Sequence, residues 1–246
     1  KKSSFAVAAA SKIISKVIES GRNDIHIWIN LNDGIPMENI NKIAGPVVEE
    51  WACEKYKGIY SQKNNQYQLC FINDELERLH MADVILGFRP SVDKPKGDII
   101  AEVDVKATSK DIKNSGKSPN ITSFARIRNA YLNNPNYMFL ICSIKHKVTK
   151  LDEKYTDSNV GVMSKSKMTV VDCKVYDLKN LSDKDISYNP ALGTGQLQVR
   201  NIHSVTEQKR TAEEFICLLD KKYLASKKGL NGWQDLANKE GWYESK

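Results

Sequence analysis

The stretch from Ile99 to Ala107 constrains the fold of this chain more than any other part of the sequence. Apolar and charged residues alternate along it, and successive side chains of a β-strand point to opposite faces. The apolar positions are Ile99, Ala101, Val103 and Val105. The charged positions are Glu102, Asp104 and Lys106. The pattern predicts a strand that packs one face into a core and carries two carboxylates and an ammonium group on the other.

A second apolar strand is predicted just before this one, from Ala82 to Phe88. The intervening residues, Arg89 to Asp98, contain two prolines and a glycine, a composition typical of a turn. Two strands joined by such a turn are expected to pair as a hairpin. The hairpin would bring Asp83 of the first strand close to Asp104 of the second.

Two carboxylates beside a lysine suit the hydrolysis of a phosphodiester. Mg²⁺ prefers hard oxygen ligands and is commonly held by one or two carboxylates together with a substrate phosphate. A nearby lysine can orient the attacking water and neutralise the charge that develops on the phosphate. The predicted hairpin therefore indicates a magnesium-dependent nuclease.

The residues alone leave a plainer interpretation open. An acidic residue followed two positions later by lysine is common in this chain, and it recurs at Asp111/Lys113 and at Asp172/Lys174. Only the copies at Asp104 and Asp172 lie in clear predicted strands, and only the Asp104 strand follows a strand that carries an acid. An ordinary solvated strand face, with weak surface ion pairs, is the alternative to the metal site.

The bulk composition is compatible with a nucleic-acid enzyme of the cytoplasm. The net charge is +7, which suits a polyanionic partner because cationic side chains release counterions from phosphates. The sequence contains no apolar run long enough to span a membrane, so no membrane partner is expected. The five cysteines include no CxxC pair and predict free, reduced thiols. The start of the chain is faintly similar to a signal peptide, but it continues as an amphipathic helix.

Along the chain, the patterns predict helices on both sides of a sheet. Residues 4–20 favour a helix, and residues 37–56 favour a helical stretch that Pro46 divides in two. A polar loop over residues 150–167 is expected to join two buried strands. Thr211 and Glu214 form a capping box at the start of a late helix. We predict one α/β domain over residues 1–246, with a mixed central β-sheet flanked by helices.

Three motifs occur in order along the chain and together resemble a known nuclease superfamily. They are Ala82-Asp83-Val84-Ile85-Leu86, Val103-Asp104-Val105-Lys106 and Ser118-Pro119-Asn120-Ile121-Thr122-Ser123. This arrangement is similar to the PD-(D/E)xK nucleases, and most similar to the HincII and EcoRV branch of type II restriction endonucleases. The resemblance implies a restriction-endonuclease-like core. It implies Asp83 and Asp104 as Mg²⁺ ligands and Lys106 as the catalytic lysine.

The resemblance also implies a glutamate on an N-terminal helix, near the metal or the dimer contact. Ala44-Gly45-Pro46-Val47-Val48-Glu49 matches that pattern and makes Glu49 a fourth catalytic candidate. The alternative is an acid of the first helical turn, favoured there by the helix dipole. By the same resemblance, residues 1–58 form a helical dimerisation region and residues 82–180 the catalytic core. Residues 186–202 form the DNA-recognition loop and strand, and residues 211–246 the C-terminal helices.

Candidate DNA contacts fall into three sets. The late loop and strand supply Asn189, Ala191, Gly193, Thr194, Gln196 and Gln198. Asn120 and Ser123 form a second set. The amide side chains of asparagine and glutamine can pair with adenine edges in the major groove. Five basic residues flank the site and suit phosphate contacts, namely Lys110, Lys113, Lys117, Arg126 and Arg128. For any single loop residue, a glycine-rich turn without a DNA contact is the alternative.

These expectations lead to a type II restriction enzyme of a restriction-modification system. It would be a homodimer that cuts double-stranded DNA at a short palindrome and leaves 5′-phosphates and blunt ends. Two alternatives remain at this stage. One is a non-catalytic DNA-binding domain of nuclease fold, and the other is a repair or junction nuclease of the same superfamily.

Overall fold

The computed structural model describes residues 1–29, 36–62, 65–77, 79–90, 97–157, 161–191, 193 and 195–242. The described chain divides into two compact units. Unit 1 comprises Lys1–Ser115 and Leu140–Tyr176, and unit 2 comprises Gly116–Phe139 and Asp177–Lys246. The single domain over residues 1–246, with its four regions, stays a prediction.

The helices and strands are numbered in chain order. The first half contains α1 (Lys2–Glu19), β1 (Asp24–Ile29), α2 (Met37–Tyr60), β2 (Leu69–Asn73), β3 (Val84–Phe88) and β4 (Ile99–Ser109). The second half contains β5 (Asn120–Ser123), α3 (Phe124–Asn133), β6 (Phe139–Asp157), β7 (Gly161–Asp177), β8 (Ile186–Asn189), β9 (Gln196–Val199), α4 (Ala212–Leu224) and α5 (Gly229–Glu240).

Unit 1 is built on a six-stranded sheet in the order β1-β7-β6-β4-β3-β2. The apolar face of β4 is buried as its alternation predicts, and α2 packs against this strand. Helix α1 contributes Ile13 and Ile14 to the core, and Tyr56 of α2 is fully buried. The predicted α/β class, with a central sheet flanked by helices, is confirmed.

Unit 2 is built on a three-stranded sheet in the order β5-β9-β8. Its core contains three mutually packed rings, those of Phe124, Tyr188 and Tyr223, whose centroids lie 4.9 to 5.4 Å apart. The capping box of Thr211 and Glu214 is present at the start of α4, as predicted.

Two secondary-structure predictions are wrong. Pro46 does not divide the second helical stretch, because α2 continues through it from Met37 to Tyr60. Burial of Ala44 and Val48 on either side of Pro46 outweighs the local cost of proline in a helix. The predicted loop over residues 150–167 is largely strand, since β6 extends to Asp157 and β7 begins at Gly161. Pairing of β7 with β1 satisfies the backbone of Ser164–Thr169 despite its polar sequence.

All five cysteines are free thiols, as predicted. Within the described part of the chain, no helix is both long and apolar enough to cross a membrane.

A buried ion pair fastens the helices of unit 2 to one another. The guanidinium of Arg128 on α3 donates two hydrogen bonds to the carboxylate of Asp220 on α4, at 2.8 and 3.0 Å. The indole of Trp233 on α5 donates to the same carboxylate at 3.1 Å, and the ring of Trp242 lies 3.9 Å from the guanidinium carbon. A bidentate, stacked arginine of this kind holds three helices in one arrangement.

We expect Asp220→Ala to lower the free energy of unfolding by about 3 kcal/mol, because it leaves the buried Arg128 charge without its partner. Chemical denaturation measures this effect. The control is Glu19→Ala, which removes the exposed Lys16–Glu19 pair and should change stability by less than about 0.5 kcal/mol. Equal effects of the two substitutions would contradict a stabilising role for the buried pair.

Candidate functional site

The β3–β4 hairpin brings Asp83 beside Asp104. The two strands pair antiparallel with Val84 opposite Val103, so Asp83, the residue just before β3, lies beside the part of β4 that carries Asp104. The backbone N–H of Asp83 donates to the carbonyl of Val103 at 3.0 Å, and its carboxylate Oδ2 accepts from the N–H of Val105 at 2.6 Å. Asp83 is therefore bonded to β4 on both sides of Asp104. The predicted hairpin and its consequence for these two acids are confirmed.

Asp104 differs from the solvated strand acid of the plainer interpretation, because only 3% of its surface is exposed. Its Oδ1 accepts a hydrogen bond from the ammonium of Lys106, whereas its buried Oδ2 has no hydrogen-bond partner among the described residues. Burial raises the pKa of the Asp104 carboxyl to about 7, with Lys106 opposing the rise and Asp83 and Glu49 adding to it. The ammonium of Lys106 therefore partners only one oxygen of this buried carboxylate, and Oδ2 is left without the partner that a buried charge requires.

Glu49 and Lys106 complete a cluster of four charged side chains. Burial acts to lower the pKa of the Lys106 ammonium, but Asp104, Asp83 and Glu49 outweigh it and raise the pKa above its usual value. Burial and Asp83 raise the pKa of the half-buried Glu49 carboxyl, while Lys106 lowers it. Three carboxylates thus face one ammonium, and the cluster has an excess of negative charge. The structure brings together all four predicted catalytic residues, although their roles stay predictions.

A cavity of about 350 Å³ borders this cluster at Glu49 and Asp83. Its wall also carries the carboxylates of Glu50, Asp74 and Glu77. The described residues contain no group of three or more His, Cys, Asp or Glu side chains close enough to hold a metal ion by themselves. A site with two carboxylate ligands remains compatible with Mg²⁺, which keeps several waters and substrate oxygens in its coordination sphere. The unpartnered Oδ2 of Asp104 and the excess negative charge both fit a divalent cation.

Unit 2 carries a polar face on its three-stranded sheet. Register pairs Asn120 of β5 and Ser187 of β8 with Gln198 of β9, so these three side chains form one row. A second row consists of Ser123, Gln196 and Asn189. The alternate residues, including Leu197 and Val199, are buried on the opposite face. We call the six-residue set the amide face, because it contains only amides and hydroxyls and no charge. Uncharged donors and acceptors of this kind suit base edges rather than phosphates.

The amide face unites five of the predicted DNA contacts, namely Asn120, Ser123, Asn189, Gln196 and Gln198. Ser187 was missed, although its alternation with Ile186 and Tyr188 could have placed it on the same face as Asn189. The carboxamide oxygen of Asn189 accepts a hydrogen bond from the backbone N–H of Ala191 at 3.0 Å. This bond stabilises the turn that follows β8. The exposed candidates are Ala191, Lys110, Lys113, Lys117 and Arg126, and Thr194 lies outside the described residues. The prediction of a phosphate contact for Arg128 is wrong, because its guanidinium is buried and bonded to Asp220.

Two glycines of the loop between β8 and β9, Gly193 and Gly195, differ in the space around them. Both have positive φ, +51° at Gly193 and +89° at Gly195, which favours glycine over other residues. At Gly193 the surrounding space is open, whereas a Cβ at Gly195 would lie 2.2 Å from the Tyr188 ring. The carbonyl of Gly195 also accepts from the N–H of Phe124 at 3.1 Å. Gly195 is therefore required for packing within unit 2, whereas a Cβ at Gly193 would meet no neighbouring atom.

We expect Gly195→Ala to destabilise the protein by about 2 kcal/mol more than Gly193→Ala. Both substitutions strain a left-handed backbone by about 1 kcal/mol, but only the first also displaces a packed ring. Thermal unfolding of the two variants gives the comparison. A Gly193→Ala variant that is as unstable as Gly195→Ala would show that the Tyr188 contact is unimportant.

Asp104→Asn should stabilise the metal-free protein, by about 2 kcal/mol near pH 8, because it removes a buried charge. A raised carboxyl pKa favours folding below the unfolded value of 3.8, and this contribution is lost as the pH rises through about 7. The advantage of the variant should therefore grow from about pH 4 to about pH 7 and then level off.

Urea denaturation in the presence of a chelator tests this pH dependence. The control is Glu54→Gln, which neutralises an exposed carboxylate on α2. An Asp104→Asn advantage that is independent of pH would contradict the assigned burial of this charge.

Comparison with known proteins identifies the family. The family model for the type II restriction endonuclease HpaI matches residues 1–241. The chain is 51% identical to the type II restriction enzyme HpaI of Haemophilus parainfluenzae over 201 residues, which is 82% of this chain and 75% of that enzyme. A solved structure of the NlaIV restriction endonuclease is similar over 94% of this chain and 87% of its own, with 11% identity and a TM-score of 0.46. The predicted type II restriction endonuclease, a site-specific deoxyribonuclease, is confirmed by the family and sequence matches, and the chain belongs to the HpaI family of these enzymes.

Proposed function

We propose that this restriction endonuclease uses Mg²⁺ to hydrolyse both strands of double-stranded DNA at a short palindrome. It acts as a homodimer and leaves 5′-phosphates and blunt ends. The observation that carries the metal requirement is the buried Oδ2 of Asp104, which has no partner among the described residues and lies in a cluster with excess negative charge. The blunt cut and the PD-(D/E)xK assignment follow from the resemblance to the HincII and EcoRV branch.

Asp83 and Asp104 would hold the cation. When bound, Mg²⁺ would stabilise negative charge on the scissile phosphate and lower the pKa of a coordinated water. The protein's part is to fix the two carboxylates in advance. Asp83 is held by its two hydrogen bonds to β4, and Asp104 is held by the ammonium of Lys106.

Lys106 and Glu49 have complementary proton states. The raised pKa of Lys106 keeps its ammonium protonated at neutral pH. It would therefore act as a cation that positions the attacking water and neutralises charge on the phosphate oxygens. Glu49 is half-buried, and burial together with Asp83 raises its pKa. A carboxylate of raised pKa is suited to accept a proton from the attacking water.

The DNA contacts divide by chemistry. The uncharged amide face suits base edges, whereas the exposed Lys110, Lys117 and Arg126 suit phosphates. Gly193, and Thr194 outside the described residues, belong to the proposed recognition loop. Residues 186–202 are assigned to recognition, 82–180 to catalysis and 211–246 to the C-terminal helices.

Residues 1–58 are assigned to the dimer contact. This region exposes two large apolar side chains, Trp28 and Ile43, each by more than 40% of its surface. Burial of such residues between two copies is favourable, and a two-fold symmetric protein matches a palindromic site. The five free thiols suit the reducing cytoplasm, where the enzyme is proposed to act.

No observation favours the alternatives of a non-catalytic DNA-binding domain or a repair nuclease. A domain without turnover would carry the cost of a buried, unpartnered carboxylate oxygen with no benefit.

A digest of a large and varied DNA with end-sequencing tests the proposal. We expect discrete fragments with Mg²⁺ and none with a chelator, and their blunt, 5′-phosphorylated ends should map to one palindrome. Asp104→Ala and Lys106→Ala should each slow cleavage by at least about a hundredfold, since each removes a group that stabilises the transition state.

The control is Glu54→Gln on α2, which should retain cleavage because it neutralises an exposed carboxylate paired with Lys55. Cleavage at scattered positions would overturn the proposal of a single palindrome. An Asp104→Ala enzyme of normal activity would show that the catalytic site has been assigned wrongly.

A further inference from the structure

A hydrogen bond joins two side chains of the amide face. Asn120 on β5 and Gln198 on β9 are cross-strand partners. The Nε2 group of Gln198 donates to Oδ1 of Asn120 at 2.9 Å. Asn120 is exposed and Gln198 is half-buried, so the bonded pair is accessible at the surface of unit 2.

This bond determines which groups Gln198 can offer to a ligand. A free carboxamide can rotate by half a turn, which exchanges the positions of its oxygen and nitrogen. It therefore presents a donor or an acceptor at a given position with similar ease. In the pair, one Nε2 hydrogen is occupied by Asn120, and turning over the Gln198 amide alone would set two oxygens against each other. The orientation of the Gln198 amide is therefore coupled to that of Asn120. Within the described part of the chain, neither amide makes another side-chain hydrogen bond. In this arrangement Gln198 presents one N–H donor beside one carbonyl acceptor.

Adenine presents the complementary arrangement in the major groove. Its N6 amino group is a donor and its N7 is an acceptor, whereas guanine presents two acceptors, N7 and O6. The Oε1 of Gln198 can accept from N6 while its remaining Nε2 hydrogen donates to N7. With guanine, Oε1 would face O6, and two acceptors in contact oppose binding. Discrimination of this kind uses an unfavourable contact with the wrong base as well as a favourable contact with the right one.

We infer that Gln198 is a specificity-determining residue that recognises an adenine in the cleavage site, and that Asn120 is the positioning residue that fixes its amide. The inference rests on the proposed site-specific cleavage and deepens it. In a symmetric dimer the same adenine contact occurs in both half-sites, so the palindrome contains at least one A·T pair in each half.

The first test uses the wild-type enzyme and the cleavage site mapped by end-sequencing. Synthetic duplexes carry 7-deaza-2′-deoxyadenosine in place of each adenine in turn, in both half-sites. This base lacks the N7 acceptor but pairs normally. We expect one symmetric adenine position at which cleavage slows by about tenfold to a hundredfold for each half-site, the discrimination of a good bidentate contact.

Gln198→Ala should slow cleavage of the unmodified duplex by a similar factor, and 7-deazaadenine at the sensitive position should then cause no further loss. The matched control is Gln196→Ala, on the same strand and the same face. Whatever its overall rate, that variant should keep the full penalty at the sensitive adenine.

The role of Asn120 is tested by the ratio of cleavage rates for duplexes with A·T and with G·C at the sensitive position. Asn120→Ala releases the Gln198 amide and should lower this ratio by at least about tenfold. Asn120→Asp keeps an acceptor oxygen for Nε2 and should preserve the ratio, although its charge slows cleavage of both duplexes. A purely structural role for Asn120 would slow both duplexes equally and leave the ratio unchanged.

The inference and the proposed function fail in different ways. Absence of discrete fragments in the original digest would overturn the proposed function. A mapped site without an A·T pair, a wild-type enzyme insensitive to 7-deazaadenine, or a Gln198→Ala enzyme that retains the penalty would overturn only the inference.

Discussion

The charged cluster of Glu49, Asp83, Asp104 and Lys106 depends on the way Asp83 is bonded to the neighbouring strand. Its backbone N–H and its carboxylate bond to Val103 and Val105, the residues on either side of Asp104. A slip of the β3–β4 register by one residue would turn Asp104 to the opposite face, because side chains alternate along a strand. The apolar face of β4 prevents such a slip, since it would expose Val103 and Val105 and bury charges instead. Core packing thus determines the distance between the two acids.

This geometry makes the site unfavourable for the empty protein. Burial opposes ionisation of Asp104, and the neighbouring acids Asp83 and Glu49 oppose it further. Such local conflicts are expected at functional sites, where the surrounding structure maintains an arrangement that is not the most stable one. The proposed magnesium ion would resolve the conflict, so the same residues that weaken the empty fold would stabilise the loaded one.

The features predicted correctly from sequence are those with a local signal. The β3–β4 hairpin follows from alternation and turn composition, and the α4 capping box follows from Thr211 and Glu214. The errors at Pro46 and over residues 150–167 arise from contacts distant in sequence, because packing of α2 and pairing of β7 with β1 override local preference. Residue types alone could not reveal the amide face, since Asn120 and Gln198 lie 78 residues apart. The Asp-x-Lys pattern was informative only through the hairpin around it.

The order of the chain has a consequence for how specificity can change. Strand β5 lies in Gly116–Phe139 and strand β9 in Asp177–Lys246, and the β6–β7 pair of unit 1 separates these segments in sequence. The two amides that are bonded to each other are therefore encoded far apart. A recombination event or an engineered graft that replaces only one of these segments would pair a foreign strand with the original β5 or β9. The hydrogen bond between Asn120 and Gln198 would then be lost. With the inferred adenine contact, new recognition in this scaffold would require coordinated change in two places, which would make a gradual shift from one target sequence to another difficult.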